Sequence, residues 1–92
     1  MSDCLIVCET RPRADRLYKY LLNHLASFGV PLRTERCIRS VEILTTEIRV
    51  VSAHEYYFTC QIGFRGKVIN EDDAWRMIDE DKKRLTNKKE KV

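Results

Sequence analysis

The stretch Cys4-Leu5-Ile6-Val7-Cys8-Glu9-Thr10-Arg11-Pro12, running on to Phe28, decides the fold of this chain. Its first part, Cys4 to Glu9, is a continuous apolar run, the pattern of a strand buried on both faces. Thr10 is a candidate N-cap, because its hydroxyl can accept from a free amide of the first helical turn. Pro12 suits that turn, where its missing N–H would have had no intrahelical partner. Leu17, Leu21, Leu25 and Phe28 follow at helical spacing, Tyr18 and Leu22 widen the stripe, and Gly29 sits where a left-handed C-cap residue belongs. The spacing predicts a helix over 12–28. A buried strand followed directly by an amphipathic helix opens a β-α-β unit, since parallel strands need a crossover connection.

Outward from that unit the pattern changes. Val30 to Arg39 is polar and basic, with Pro31 as a breaker. Val41, Ile43 and Thr45 alternate with Glu42, Leu44 and Thr46, and Ile48, Val50 and Ser52 then share one face, so two strands are expected in a hairpin turning near Thr45-Thr46. Tyr56, Phe58, Cys60, Ile62 and Phe64 alternate with Tyr57, Thr59, Gln61 and Gly63, which predicts a half-buried strand ending at Gly66. The last element reads as a helix. Asn70 can cap it, with Asp73 placed to reach back. Glu71, Asp72 and Asp73 fall in the first turn, where the helix dipole favours negative charge. Asp79–Lys83 and Glu80–Arg84 have the spacing of helical ion pairs, and Ala74, Trp75, Ile78 and Leu85 supply a narrow apolar side. The expected architecture is a single α/β domain over 1–85, ordered β-α-β-β-β-α with a mixed sheet, followed by a frayed, polar basic C-terminal tail at 86–92. A ferredoxin-like α+β sandwich is the alternative.

Leu5-Ile6-Val7-Cys8-Glu9-Thr10-Arg11 with its helix, Ile48-Arg49-Val50-Val51-Ser52-Ala53, Gly63-Phe64-Arg65-Gly66 and Met77-Ile78-Asp79-Glu80 together resemble segments of the P-loop-like ATPase core of helicases and phage terminases. What the resemblance implies is a reduced form of that scaffold. The phosphate-cradling Gly-x-x-x-x-Gly-Lys-Ser/Thr is absent from a chain with only three glycines, and without it there are no backbone amides around phosphate, no lysine on the terminal phosphates and no hydroxyl for magnesium. Met77-Ile78-Asp79-Glu80 sits inside the predicted helix and not at a strand end. No catalytic residue carries over, and no ATP hydrolysis is expected.

Composition narrows the function further. Ninety-two residues make one domain. No apolar stretch approaches the roughly 20 residues that span a bilayer, and Met1-Ser2-Asp3 does not open a signal peptide, so a cytoplasmic protein without membrane association is expected. Cys4, Cys8, Cys37 and Cys60 are scattered, and three of them fall in or beside apolar runs, where a free thiol behaves as a small buried hydrophobe. Cys4 and Cys8 stand four apart on a strand, roughly 13 Å at normal rise, so they cannot join His24 or His54 on one zinc ion. His54 reads as a surface turn residue. No metal, cofactor or catalytic group is expected, and a net charge of +3 does not by itself imply nucleic-acid binding.

Two charged surfaces remain as candidates. Arg11, Arg13 and Arg16 begin the first helix, Arg33, Arg36 and Arg39 follow in the next connection, and Arg65 and Lys67 flank Gly66. Arginine can fork onto phosphate or carboxylate, and ligands of open α/β sheets favour the carboxyl ends of the strands. Glu71, Asp72, Asp73, Asp79, Glu80 and Asp81 form the opposing surface, able to meet the basic groove of a nucleic-acid enzyme. In type this is similar to short bacteriophage inhibitors, including some anti-CRISPR proteins. Tyr57 alone of the aromatic run is placed to stack on bases. The expected function is a non-catalytic binding protein, a phage or mobile-element accessory or inhibitor that engages a nucleic-acid-handling protein. A direct nucleic-acid-binding module using the arginine clusters is the alternative.

Overall fold

The computed structural model describes residues 3–34, 39–57, 64 and 66–90, with side chains in the last helix described through Leu85. The elements are β1 (Cys4–Cys8), α1 (Arg11–Ala26), β2 (Leu32–Arg33), β3 (Ser40–Ile43), β4 (Thr46–Ser52), α2 (Ala53–Glu55), β5 (Lys67–Asn70) and α3 (Glu71–Glu90). They form one α/β domain whose mixed sheet has the strand order β2-β3-β4-β1-β5. β1 lies between two parallel neighbours, pairing Cys4 with Ile48 and Cys8 with Ser52 on one side, and Cys4 with Lys67 and Val7 with Asn70 on the other. β3 is antiparallel to both β2 and β4. This parallel centre excludes the ferredoxin-like alternative.

The apolar run of β1 is matched by its position. Ile6 and Cys8 join the core beneath the helices, while Leu5, on the opposite face, is wholly buried, as a central strand of a parallel sheet requires. α1 and α3 lie over the same face. Ala14, Leu17, Leu21 and Leu25 of α1 meet Ala74 and Ile78 of α3 above Ile6, Val41, Val50 and Ile69. Each such leucine, isoleucine or valine contributes about 1.5–3 kcal/mol by leaving water. Thr10 caps α1 through Arg13 N–H, with Pro12 in the first turn, and Asn70 Oδ1 accepts Asp73 N–H at 2.8 Å at the start of α3. Both caps stand where the sequence places them.

Several expectations are corrected. The hairpin turns one residue earlier than its residues suggest, on Leu44-Thr45 between the paired Ile43 and Thr46, with Leu44 in the left-handed region at φ 57°. Tyr56 and Tyr57 do not open a strand. They continue a helical turn begun by α2, because Ser52 and Glu55 form a reciprocal capping box in which Ser52 accepts Glu55 N–H and Glu55 accepts Ser52 N–H. That local motif outweighs the alternation of apolar residues. Phe58, Cys60 and Ile62, the rest of that expected strand, lie outside the described residues. The last strand before α3 is instead Lys67–Asn70. Phe28, expected on the buried stripe, lies beyond the helix end and is 41% exposed, with its ring edge-on to His24. α3 continues to Glu90 where a frayed tail was expected after Leu85, and Arg84 pairs with Asp81 one turn back in place of Glu80.

Candidate functional site

Because β1, β4 and β5 are parallel, Cys8, Ser52 and Asn70 all end at one edge of the sheet. α1 and α3 begin there. The consequence is that the first residues of the two rival charged surfaces, Arg13 and Arg16 on one side and Glu71 and Asp72 on the other, meet. Arg13 and Arg16 from α1, with Glu71, Asp72 and Trp75 from α3, line a cleft of about 270 Å³. This is the crevice in which open α/β sheets hold ligands.

Its electrostatics are set from within. Glu71 Oε1 accepts the Glu9 N–H at 2.8 Å and the Arg13 guanidinium at 3.4 Å. Arg13 also reaches Glu9 Oε2 at 3.4 Å. A backbone amide at the β1–α1 turn and an arginine beside it are the groups that would hold an external phosphate. Here a carboxylate of the chain itself occupies that place, and an incoming anion would have to displace it. Arg16 and Asp72 remain exposed on the rim, and Arg11 is exposed at the start of α1.

The other predicted residues divide. Arg39 is drawn inward: its guanidinium donates to Val50 O at 3.0 Å, to Asp15 at 2.9 Å and to Glu55, so it braces β4 to α1 and α2 and does not face a ligand. Arg33 lies 3.7 Å from Glu42 across the β2–β3 pair. Lys67 starts β5 at the opposite edge of the sheet from the cleft. Arg36 and Arg65 lie outside the described residues. On the acidic side, Asp73 pairs with Arg76 at 2.7 Å. Asp79 accepts the Tyr20 hydroxyl at 2.9 Å, and Asp81 meets the buried His24 at 2.7 Å. The Asp79 and Asp81 contacts, with the Tyr20 and Trp75 rings 4.8 Å apart, form the seam between α1 and α3. Asp72 and Glu80 stay exposed. His54 is exposed, as a turn residue would be.

Beneath the cleft, Cys8 is 1% exposed. Burial pushes its thiol up to about 12, Glu71 adds to the shift, and Arg39 and Arg13 oppose it. Cys4 is also raised by burial, with Lys67 opposing. A neutral buried thiol is not a nucleophile. Iodoacetamide at about pH 8 should therefore leave Cys8 unmodified in the native protein and label it after denaturation in urea. Native labelling of Cys8 as fast as a free thiol would show that this strand end is open. Among the described residues, no group of three metal-ligating side chains comes together, and no helix is long and apolar enough to cross a membrane. No protein-family model, curated protein or solved structure matches the chain.

The sequence did not reveal Trp75 as part of this site, since its spacing marks it as core. Its location on the cleft wall follows from the approach of α3 to α1. Nothing local to either helix encodes that approach.

Proposed function

We propose that this chain is a non-catalytic protein-binding module, an accessory or inhibitor protein of the phage or mobile-element kind, which engages a protein that handles nucleic acid. The cleft between the first turns of α1 and α3 is its contact surface. The observation that carries this reading is Glu71. By satisfying the Glu9 amide and Arg13, it removes the anion-binding groups that a nucleotide or phosphate backbone would use. What is left on the rim is Arg16, Asp72 and Trp75, of mixed sign and with one large aromatic. Arginine and tryptophan are the residues most enriched among protein–protein hot spots, and paired charges of both signs select a protein face that is complementary in register. The exposed carboxylates Asp72 and Glu80 supply the attraction to a basic groove that a nucleic-acid enzyme would present. Arg13 and Arg39 both meet carboxylates of the chain, which weighs against direct binding of nucleic acid through them.

The test is capture from a nuclease-treated lysate of the source cell, comparing the wild-type chain with Arg16→Glu and Asp72→Lys. A partner retained after nuclease and lost by at least tenfold in each variant, with both variants folded by circular dichroism, is the expected outcome. Capture that disappears with nuclease, or that both charge reversals leave intact, would remove the cleft as the contact surface.

A further inference from the structure

The charge of this chain is segregated along its last helix. Residues 82–92 contain six basic residues and one acidic residue, a net charge of +5, whereas 71–81 contain six acidic and one basic, a net −5. The overall +3 hides both. The structure turns this sequence fact into a placement. α1 and α3 start at the same edge of the sheet and run side by side, and His24, two residues before the end of α1, touches Asp81. α3 continues nine residues further, to Glu90, about 14 Å at the helical rise. The basic segment therefore begins beside the last turns of α1, with Lys82 on the Tyr20 ring, and its later residues run on past the end of α1. The molecule is 48 Å long against 24 and 20 Å across, roughly twice the 23 Å span of its seven-residue strand β4.

We propose that the C-terminal half of α3, from Lys82 to Lys89, is a sequence-independent binding element for the phosphate backbone of nucleic acid. The inference goes beyond the protein-binding cleft and uses different residues, at the far end of the same helix. Lys83 and Arg84 are exposed, and Lys88 and Lys89 follow on the continuing helix. A segment with this much lysine and a single apolar residue does not suit a protein interface, which depletes lysine and needs an apolar centre. It does not suit a membrane surface either, because Leu85 is the sole apolar residue from 82 to 90 and an interfacial helix needs an apolar face. A phosphate backbone requires only positive charge at short spacing, and binding is driven by counterion release. The helix dipole does not account for the pattern. Its influence is confined to the last turn, whereas Lys82, Lys83 and Arg84 lie about two turns before Glu90.

The test is fluorescence anisotropy of a labelled random-sequence DNA duplex with the full chain, between about 50 and 200 mM salt. Binding should weaken with a log–log slope near −4, since each phosphate contact contributes about −0.9. Lys83, Lys88 and Lys89 changed together to Gln, which preserves helix propensity and leaves Lys82 on the Tyr20 ring, should make the slope shallower by about 2 to 3. Arg11 and Arg16 changed together to Gln should leave it as it was. No binding at the lowest salt would overturn the proposal. So would a slope unchanged in the lysine variant, a slope lost in the arginine variant, or binding to phosphatidylserine vesicles without binding to DNA. Failure of the cleft variants to lose their protein partner would not touch this result, and the converse also holds.

Discussion

Gly66→Ala is expected to destabilise the domain by about 2–4 kcal/mol, lowering Tm by roughly 10–25 °C for a chain of this size. An added Cβ would overlap the Asp3 carbonyl oxygen and stand 2.7 Å from both the Asp3 carbonyl carbon and the Phe64 ring. A flexible side chain could yield at small cost, but the Asp3 backbone is held. Its carbonyl accepts the Lys67 N–H at 2.9 Å, and its carboxylate accepts the Glu47 N–H at 3.1 Å. Asp3 therefore clips the beginnings of both β4 and β5 to β1, and any shift that admits the methyl group breaks the first link of β5. Urea unfolding measures the effect. Gly29→Ala is the internal comparison, because Gly29 has φ 72° and open space around it. Its cost is conformational alone, about 1–2 kcal/mol. If Gly66→Ala costs no more than Gly29→Ala, the close approach to Asp3 is wrong.

The second large effect is at Arg39. Arg39→Met keeps the apolar stem and removes the guanidinium, and it should cost about 3 kcal/mol. The Arg39 side chain is 10% exposed and Glu55 only 21%, so that pair is partly desolvated, whereas Asp15 is 56% exposed and regains water when the arginine is lost. The loss therefore falls on Glu55 and on the Val50 carbonyl. Glu55 also gives the effect a pH signature. Burial raises its pKa, but the hydrogen bonds from Ser52 and the charge and hydrogen bond of Arg39 outweigh it, leaving the pKa below the ordinary 4.5. A carboxylate with a depressed folded-state pKa contributes stability above its unfolded pKa and loses it as pH falls through the folded value. Wild-type stability should therefore begin to fall below about pH 4.5, and the contribution of Glu55 to that fall should shrink in Arg39→Met and vanish in Glu55→Gln. Unfolding free energies measured across the acid range check this. Parallel profiles for the three proteins would show that Arg39 does not hold the Glu55 carboxylate in its charged form.

Arg39 also shows why charge reading from sequence misleads. Arg33, Arg36 and Arg39 form a regular basic series in a polar connection, which suggests an anion site. In the fold, Arg39 meets Glu55, sixteen residues away, and Arg13 meets Glu71, fifty-eight away. An ion pair of that separation leaves no local pattern, so a basic cluster and its neutralising partners look like two independent surfaces. The α2 turn is a different failure. Ser52-Ala53-His54-Glu55 carries a legible capping motif, yet the alternation that begins at Tyr56 is the longer signal and suggested a strand through a residue pair that the structure holds in a helical turn.

The sequence alone determined the elements whose causes lie within one turn or one strand. The uninterrupted apolar run of β1 required burial on both faces, Thr10 and Pro12 began α1, Asn70 began α3, and together these specified an α/β domain. The tertiary structure decided what faces what. Parallel pairing of β1 with β4 and β5 brought the starts of two helices to one edge and set Glu71 against Arg13. The same packing aligned α1 with the first half of α3 and left the basic second half to run on beyond it. Hydrogen bonds within a turn are written in adjacent residues, whereas the meeting of distant charges depends on strand order and register, which are settled only when the whole core packs.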